Sequence, residues 1–175
     1  MDNSMRIQIN ALAEDIIKLF DIPMPIDDMD MVVTKLGGRL QEDEAINCYS
    51  DGIIEREDLN YPFSIKIPYS QSENRKNFTV AHELGHLFLH MGYMINSDLW
   101  ESSRSMKFYR KGNSEMELQA NEFAAALLMP KEKYKEILDK FSEDNYVLIA
   151  KVADYFHVSI DAATYRGKWL GYLEW

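Results

Sequence analysis

Asn77-Phe78-Thr79-Val80-Ala81-His82-Glu83-Leu84-Gly85-His86-Leu87-Phe88-Leu89-His90 is the stretch that decides how this chain is read. Its apolar residues and the absence of proline predict a helix, and on a helix residues four apart lie one above the other. His82 and His86 therefore present two imidazoles to one metal ion, the spacing used by zinc hydrolases. Glu83 points off that line, where its carboxylate can take a proton from a water activated by the metal. His90 continues the row at the same interval. Over eight residues the helix rises about 12 Å, while ligand atoms of one zinc lie within about 4 Å of each other. Nothing in Leu87-Phe88-Leu89 breaks the helix, so His90 is assigned to supporting a ligand rather than being one.

Catalytic zinc usually takes three protein ligands and keeps a position open. The third candidate is Glu117, in Glu117-Leu118-Gln119-Ala120-Asn121, at the start of a helical stretch that runs to Met129 and is stopped by Pro130. Asn121 lies one turn on, placed to hydrogen-bond a ligand imidazole, and Ala120 and Ala124 are small enough for close packing against the first helix. Glu115 and Glu122 read as a solvated helix face.

The first block together with Glu117-Leu118-Gln119-Ala120-Asn121-Glu122-Phe123-Ala124-Ala125-Ala126-Leu127-Leu128-Met129-Pro130 closely resembles the ImmA/IrrE family of zinc metallopeptidases. The likeness is specific over about residues 75 to 131 and looser upstream. It implies zinc as cofactor, His82, His86 and Glu117 as metal ligands and Glu83 as the general base. It also implies a protein substrate, a helix-turn-helix transcriptional repressor of bacterial or phage regulation. Two His and one carboxylate can also hold Fe, Co, Ni or Mn. The rival class is a regulatory interaction or toxin-antitoxin protein whose metal site is vestigial or structural.

The remaining chain is expected to build an α+β domain, mainly helical, with a small antiparallel sheet on the metal helix and a helical C-terminal lobe. Ile9, Leu12, Ile16, Leu19 and Phe20 follow a helical period. Asp27 or Asp28 caps a second helix ending at Gly37-Gly38. Strand-like segments follow near 39–42, 45–50, 53–56 and 63–67, with Asp51-Gly52 as a hairpin signal. Asn74 or Asn77 caps the metal helix, and one sheet edge is expected to line the cleft, an inference from the resemblance. Between Met91 and Ser114 periodicity is lost, which suits a flap or an ordinary surface loop. Tyr93, Tyr109 and His90 are candidates for stabilising an oxyanion.

After Pro130, Tyr134, Ile137, Leu138 and Phe141 mark an amphipathic helix. Residues 146–170 read as two helices with a turn at His157-Val158-Ser159, Ser159 capping the second. A recognition helix needs several basic or amide side chains, and only Arg166 and Lys168 are basic here, so packing or partner docking is preferred to DNA binding. The expected division is 1–142 for the metallopeptidase domain and 143–175 for a helix-turn-helix-like lobe.

Bulk properties fit this reading. The 175 residues, 46% hydrophobic, suffice for one compact domain. The net charge of −10 is uneven: residues 1–62 hold 14 acidic and 5 basic side chains, which disfavours direct nucleic-acid binding and suits a solvated face or attraction of a basic partner. No secretion signal or membrane span is read, so a cytoplasmic location is expected. The one cysteine, Cys48, forms no internal disulfide and is expected as a buried small side chain in a strand.

Overall fold

In the computed structural model the described residues are 1–44, 46, 52–57, 60–69, 71–103, 115–143 and 146–175. The expectations for Cys48, for Asp51 in a hairpin, for Tyr109 and for residues 104–114 fall outside them. The elements run α1 (Asn3–Leu19), α2 (Met29–Lys35), β1 (Arg39–Asp43), β2 (Ile53–Arg56), β3 (Phe63–Pro68), α3 (Glu73–Leu89) and α4 (Ser97–Ser102). They continue with α5 (Glu115–Leu128), α6 (Lys131–Lys140), β4 (Ser142–Glu143), β5 (Tyr146–Val147), α7 (Ile149–Tyr155) and α8 (Ile160–Trp169). The fold is α+β and mainly helical.

α1 buries Ile9, Ala13 and Ile16 along its inner face, whereas Leu19, at its last turn, is exposed. Of the two aspartates offered for α2, Asp28 is the cap: its carboxylate accepts from Asp30 N–H and Met31 N–H. Gly37, at φ +87°, adopts the left-handed turn that ends the helix.

The three-stranded sheet is mixed, not antiparallel. Its order is β1-β3-β2, with β1 parallel and β2 antiparallel to β3. β3 takes the centre because Phe63, Ile65 and Ile67 are wholly buried, while β1 and β2 are half-buried edge strands. A short return, closed by Glu57 N–H to Pro62 O at 2.9 Å, makes the β2–β3 pair antiparallel. β1 reaches β3 only across the long intervening stretch, which permits a parallel pair.

α3 packs on β2 and β3 on one side and on α5 on the other. Neither Asn74 nor Asn77 caps it. The N-cap is Ser72, without a side-chain bond, and Asn74 and Asn77 lie inside the helix, with Asn74 Nδ2 donating to Val158 O and Asn77 Nδ2 to His157 O. They tie α3 to the α7–α8 turn. The stretch after Met91 also holds more order than its periodicity suggests, since Asn96 accepts from Leu99 N–H and starts α4.

The C-terminal elements follow the predicted pattern. α6 buries Tyr134, Ile137 and Leu138, and Ser159 Oγ accepts from Ala162 N–H at the start of α8. β4 and β5 form a small hairpin not foreseen in the sequence. Arg166 does not face solvent. It is 3% exposed and bonds Met129 O, Asn10 Oδ1 and Glu122 Oε1.

Glu122 is correspondingly not on a solvated face. It is 9% exposed, and its carboxylate also takes Arg6 Nε at 3.0 Å and Asn10 Nδ2 at 2.7 Å. Glu115 does remain exposed. The Glu122 cluster joins α1, α5 and α8, and the distant positions of Arg6 and Arg166 hid it from a linear reading. Removing the carboxylate leaves a buried guanidinium poorly paired, so Glu122→Ala is expected to cost about 3–5 kcal/mol. Urea unfolding checks this; a midpoint equal to wild type would show that the cluster contributes nothing.

Candidate metal centre

Close approach of two helices builds the site. A Cβ on Gly85 would lie 2.9 Å from Ala120 Cα, so only glycine lets α3 touch the α5 backbone there. Ala120 and Ala124 are wholly buried at this crossing, as their size suggests. The signal for Gly85 was present as a glycine inside an apolar helical run. From this crossing His82 and His86 face Glu117 and Asn121.

His82 Nε2 and His86 Nε2 are 3.1 Å apart. Glu117 places Oε2 at 3.2 Å from His82 Nε2 and Oε1 at 3.3 Å from His86 Nε2. One ligand atom from each residue lies within 4.8 Å of the other two. These contacts are not ordinary ion pairs. Burial pushes both imidazoles below their usual range, His86 to about 3 with help from the neighbouring His82 and His90. For His82, burial outweighs the raising effects of Glu117 and Asn121. Neutral imidazole nitrogens and a carboxylate thus face one another, a donor set suited to a cation.

The outer face of each imidazole is held. His82 Nδ1 lies 2.9 Å from Asn121 Oδ1, so its N–H donates there and its Nε2 keeps a lone pair for the site. His86 Nδ1 lies 2.9 Å from His90 Nδ1, and His90 Nε2 lies 3.0 Å from Gln119 Oε1. Gln119 was overlooked in the sequence because nothing but the helix crossing brings it to His90. Tyr93, one of the oxyanion candidates, is committed elsewhere: its hydroxyl donates to Leu36 O at 2.8 Å and its ring packs on Phe63, Phe88 and Trp100.

Glu83 is 3% exposed beside the cluster, and its Oε2 has no hydrogen-bond partner among the described residues. The Ile54 backbone N–H donates to its carboxylate, so β2 presents its outer edge to this residue. A Cβ on Gly52 would come within 2.9 Å of Glu83 Oε1 and of Thr79 Cγ2. Gly52, suggested by sequence as a turn residue, thus stands where the chain must pass close over Glu83.

Burial, then the charge of Glu117, raises Glu83 to about 8. The folded chain therefore favours the protonated carboxyl. Its contribution to stability is fully present below the ordinary value of 4.5 and is lost as pH rises through about 8. His86 acts in the opposite sense: stability from its neutral form is present above 6.5 and lost as pH falls toward about 3. In metal-free protein, Glu83→Gln is expected to be more stable than wild type at pH 8.5, by at most about 5 kcal/mol, and nearly equal at pH 5. Thermal melts at the two pH values check this; an equal gap at both would refute the raised carboxyl.

An apolar cavity of about 600 Å³ between α1, α5 and α8, lined by Phe78, Leu118, Ala125 and Trp169, also touches Asn121. None of His82, His86, Glu83 and Glu117 lines it, so it is not the metal cleft. No described helix is long and apolar enough to cross a membrane.

Comparison with known proteins gives a family and a similar fold. The family described as IrrE N-terminal-like domain, a peptidase family, matches residues 50–168, which include both helices of the site. No curated protein matches the chain. A solved structure described as a Mycobacterium tuberculosis transcriptional regulator is similar in fold, with a TM-score of 0.60 at 15% identity. The similarity covers 91% of this chain and 46% of that one, so the present chain spans less than half of its length.

Proposed function

The chain belongs to the peptidase family of the IrrE N-terminal-like domain, and from that premise we propose that it is a zinc-dependent endopeptidase of a regulatory circuit. His82, His86 and Glu117 hold the zinc ion, and Glu83 is the general base. The observation that carries this reading is the convergence of two neutral imidazoles and a carboxylate beside a buried Glu83 whose Oε2 has no hydrogen-bond partner among the described residues.

When bound, zinc supplies Lewis acidity to water and to the scissile carbonyl. The protein's own groups do the rest. Asn121 orients His82 through its Nδ1–H. Glu83, kept out of bulk water, removes a proton from the attacking water and passes it to the departing amide nitrogen. A raised carboxyl suits that exchange, and a nearby cation would draw it back toward the ionised form that accepts the proton. Substrate lies extended beside the outer edge of β2, where main-chain groups can add a strand.

The substrate class proposed is a helix-turn-helix transcriptional repressor. The support is the ImmA/IrrE resemblance and the acidic character of residues 1–62, which suits a basic partner. We divide the chain into a metallopeptidase domain, 1–142, and a helix-turn-helix-like lobe, 143–175, that packs rather than reads DNA; the engagement of Arg166 by Glu122 supports this. Zinc-loaded protein incubated with a panel of such repressors is expected to yield one discrete cut. An intact panel, together with no turnover of an unstructured peptide library, would remove the endopeptidase reading.

A further inference from the structure

We propose that the cavity between α1, α5 and α8 is a binding site for a small apolar monocarboxylate, an aromatic or aliphatic acid anchored by Arg6. The site is separate from the metal centre and does not depend on it. Its volume of about 600 Å³ is that of a small-molecule pocket. Phe78, Leu118, Ala125, Ala162 and Trp169 make most of its wall apolar. The charged groups that interrupt this wall define the ligand.

Arg6 is held in place by the fold but is not used up by it. Its Nε donates to Glu122 Oε2 at 3.0 Å, and its guanidinium lies over the Trp169 ring, 3.7 Å from the centroid. Neither Nη atom has a hydrogen-bond partner among the described residues. The side chain lines the cavity and is 20% exposed. A carboxylate in the cavity can take both Nη donors as a fork. The other charged groups offer a ligand nothing. Arg166 spends its nitrogens on Met129 O, Glu122 Oε1 and Asn10 Oδ1. Glu122 already accepts from Arg6, Asn10 and Arg166, so it is a poor partner for a cation. Two guanidinium groups against one carboxylate leave one positive charge, which a monoanion neutralises. Met1 also lines the cavity, its amine 3.8 Å from Glu115 Oε1. A second apolar cavity, of about 530 Å³ at the other end of α1, has Asp15 and Lys18 in its lining, whose charges cancel. It therefore serves as an internal control.

The test titrates the full chain, treated with a chelator so that no metal can hold a carboxylate, with naphthalene-2-carboxylate and octanoate. Naphthalene-2-methanol and naphthalene-2-methylamine are the neutral and cationic counterparts. Methyl ¹H–¹³C spectra locate binding in the wild type without any substitution. At least one carboxylate is expected to bind with Kd below about 1 mM. Shifts are expected at Leu118, Ala125 and Ala162, and not at Leu12, Ile16 and Ile95 of the second cavity. The alcohol is expected to bind roughly tenfold more weakly, the cost of an unmade charge-assisted bond, and the amine more weakly still. Arg6→Gln should bring the carboxylate down to the level of the alcohol. Because Arg6 also pairs with Glu122, a second variant leaves that cluster alone: Ala125→Phe fills the cavity from a partly exposed position and is expected to abolish binding with an unchanged melting temperature. No carboxylate binding, an alcohol that binds as tightly, shifts confined to the second cavity, or binding that survives in folded Ala125→Phe would each overturn the proposal.

Discussion

Glu83→Gln is expected to lower peptide hydrolysis by about 10³-fold, within the range for loss of a positioned general base, while keeping about one zinc per chain. The separation follows from position. Glu83 is on α3 beside His82 but is not among the three residues whose ligand atoms converge. The amide has nearly the shape of the carboxylate, so it can still accept from Ile54 N–H, yet it cannot take up the proton of the attacking water. Turnover by zinc-loaded protein and metal content by elemental analysis should be measured on one preparation. Activity within a few-fold of wild type would exclude Glu83 as base. Full biological function with no hydrolysis in either form would move the protein to the interaction class, with the metal a structural element.

Glu117→Ala is expected to weaken zinc binding by more than the roughly 100-fold that marks loss of an outer hydrogen-bonding partner, because it deletes a ligand itself. Protein purified without chelators should carry about one zinc per chain as wild type and little as the variant. In the metal-free state the same change should do no harm to the fold. It removes the negative charge that raises Glu83, and with it an anion that is itself buried in the first turn of α5. Melting curves with and without added zinc resolve the two effects: wild type gains stability on zinc addition by mass action, and the variant does not. Equal zinc content in both proteins would remove Glu117 from the ligand set.

Much of this site was legible because its parts are local. His82, Glu83 and His86 are neighbours on one helix, and the helical repeat alone brings them to one face. Glu117 and Asn121 needed only the further assumption that their helix packs on the first, for which Ala120 and Ala124 supplied a reason. The errors share a different cause. Glu122 looked solvated because its partners, Arg6, Asn10 and Arg166, come from both ends of the chain. Asn74 and Asn77 looked like caps because asparagine has that local option, but the helix begins before both, after Ser72, and their amides donate to the carbonyls of Val158 and His157. Tyr93 looked available until its hydroxyl was found on Leu36 O.

By itself the sequence determined that His82, Glu83 and His86 stand together on one helix, since spacing on a helix is a property of the backbone alone. It also pointed to most of the helices, through a cap at Asp27 or Asp28, a cap at Ser159 and stops such as Gly37 and Pro130, though not to α4. Tertiary structure decided the order and direction of the strands, which depend on which one is buried from both sides. It decided that Gly85 and Gly52 are points of close approach, and it brought Gln119 to His90. Contacts between residues far apart in the chain form only when their elements pack, and no periodicity along the chain encodes which side chain will meet which.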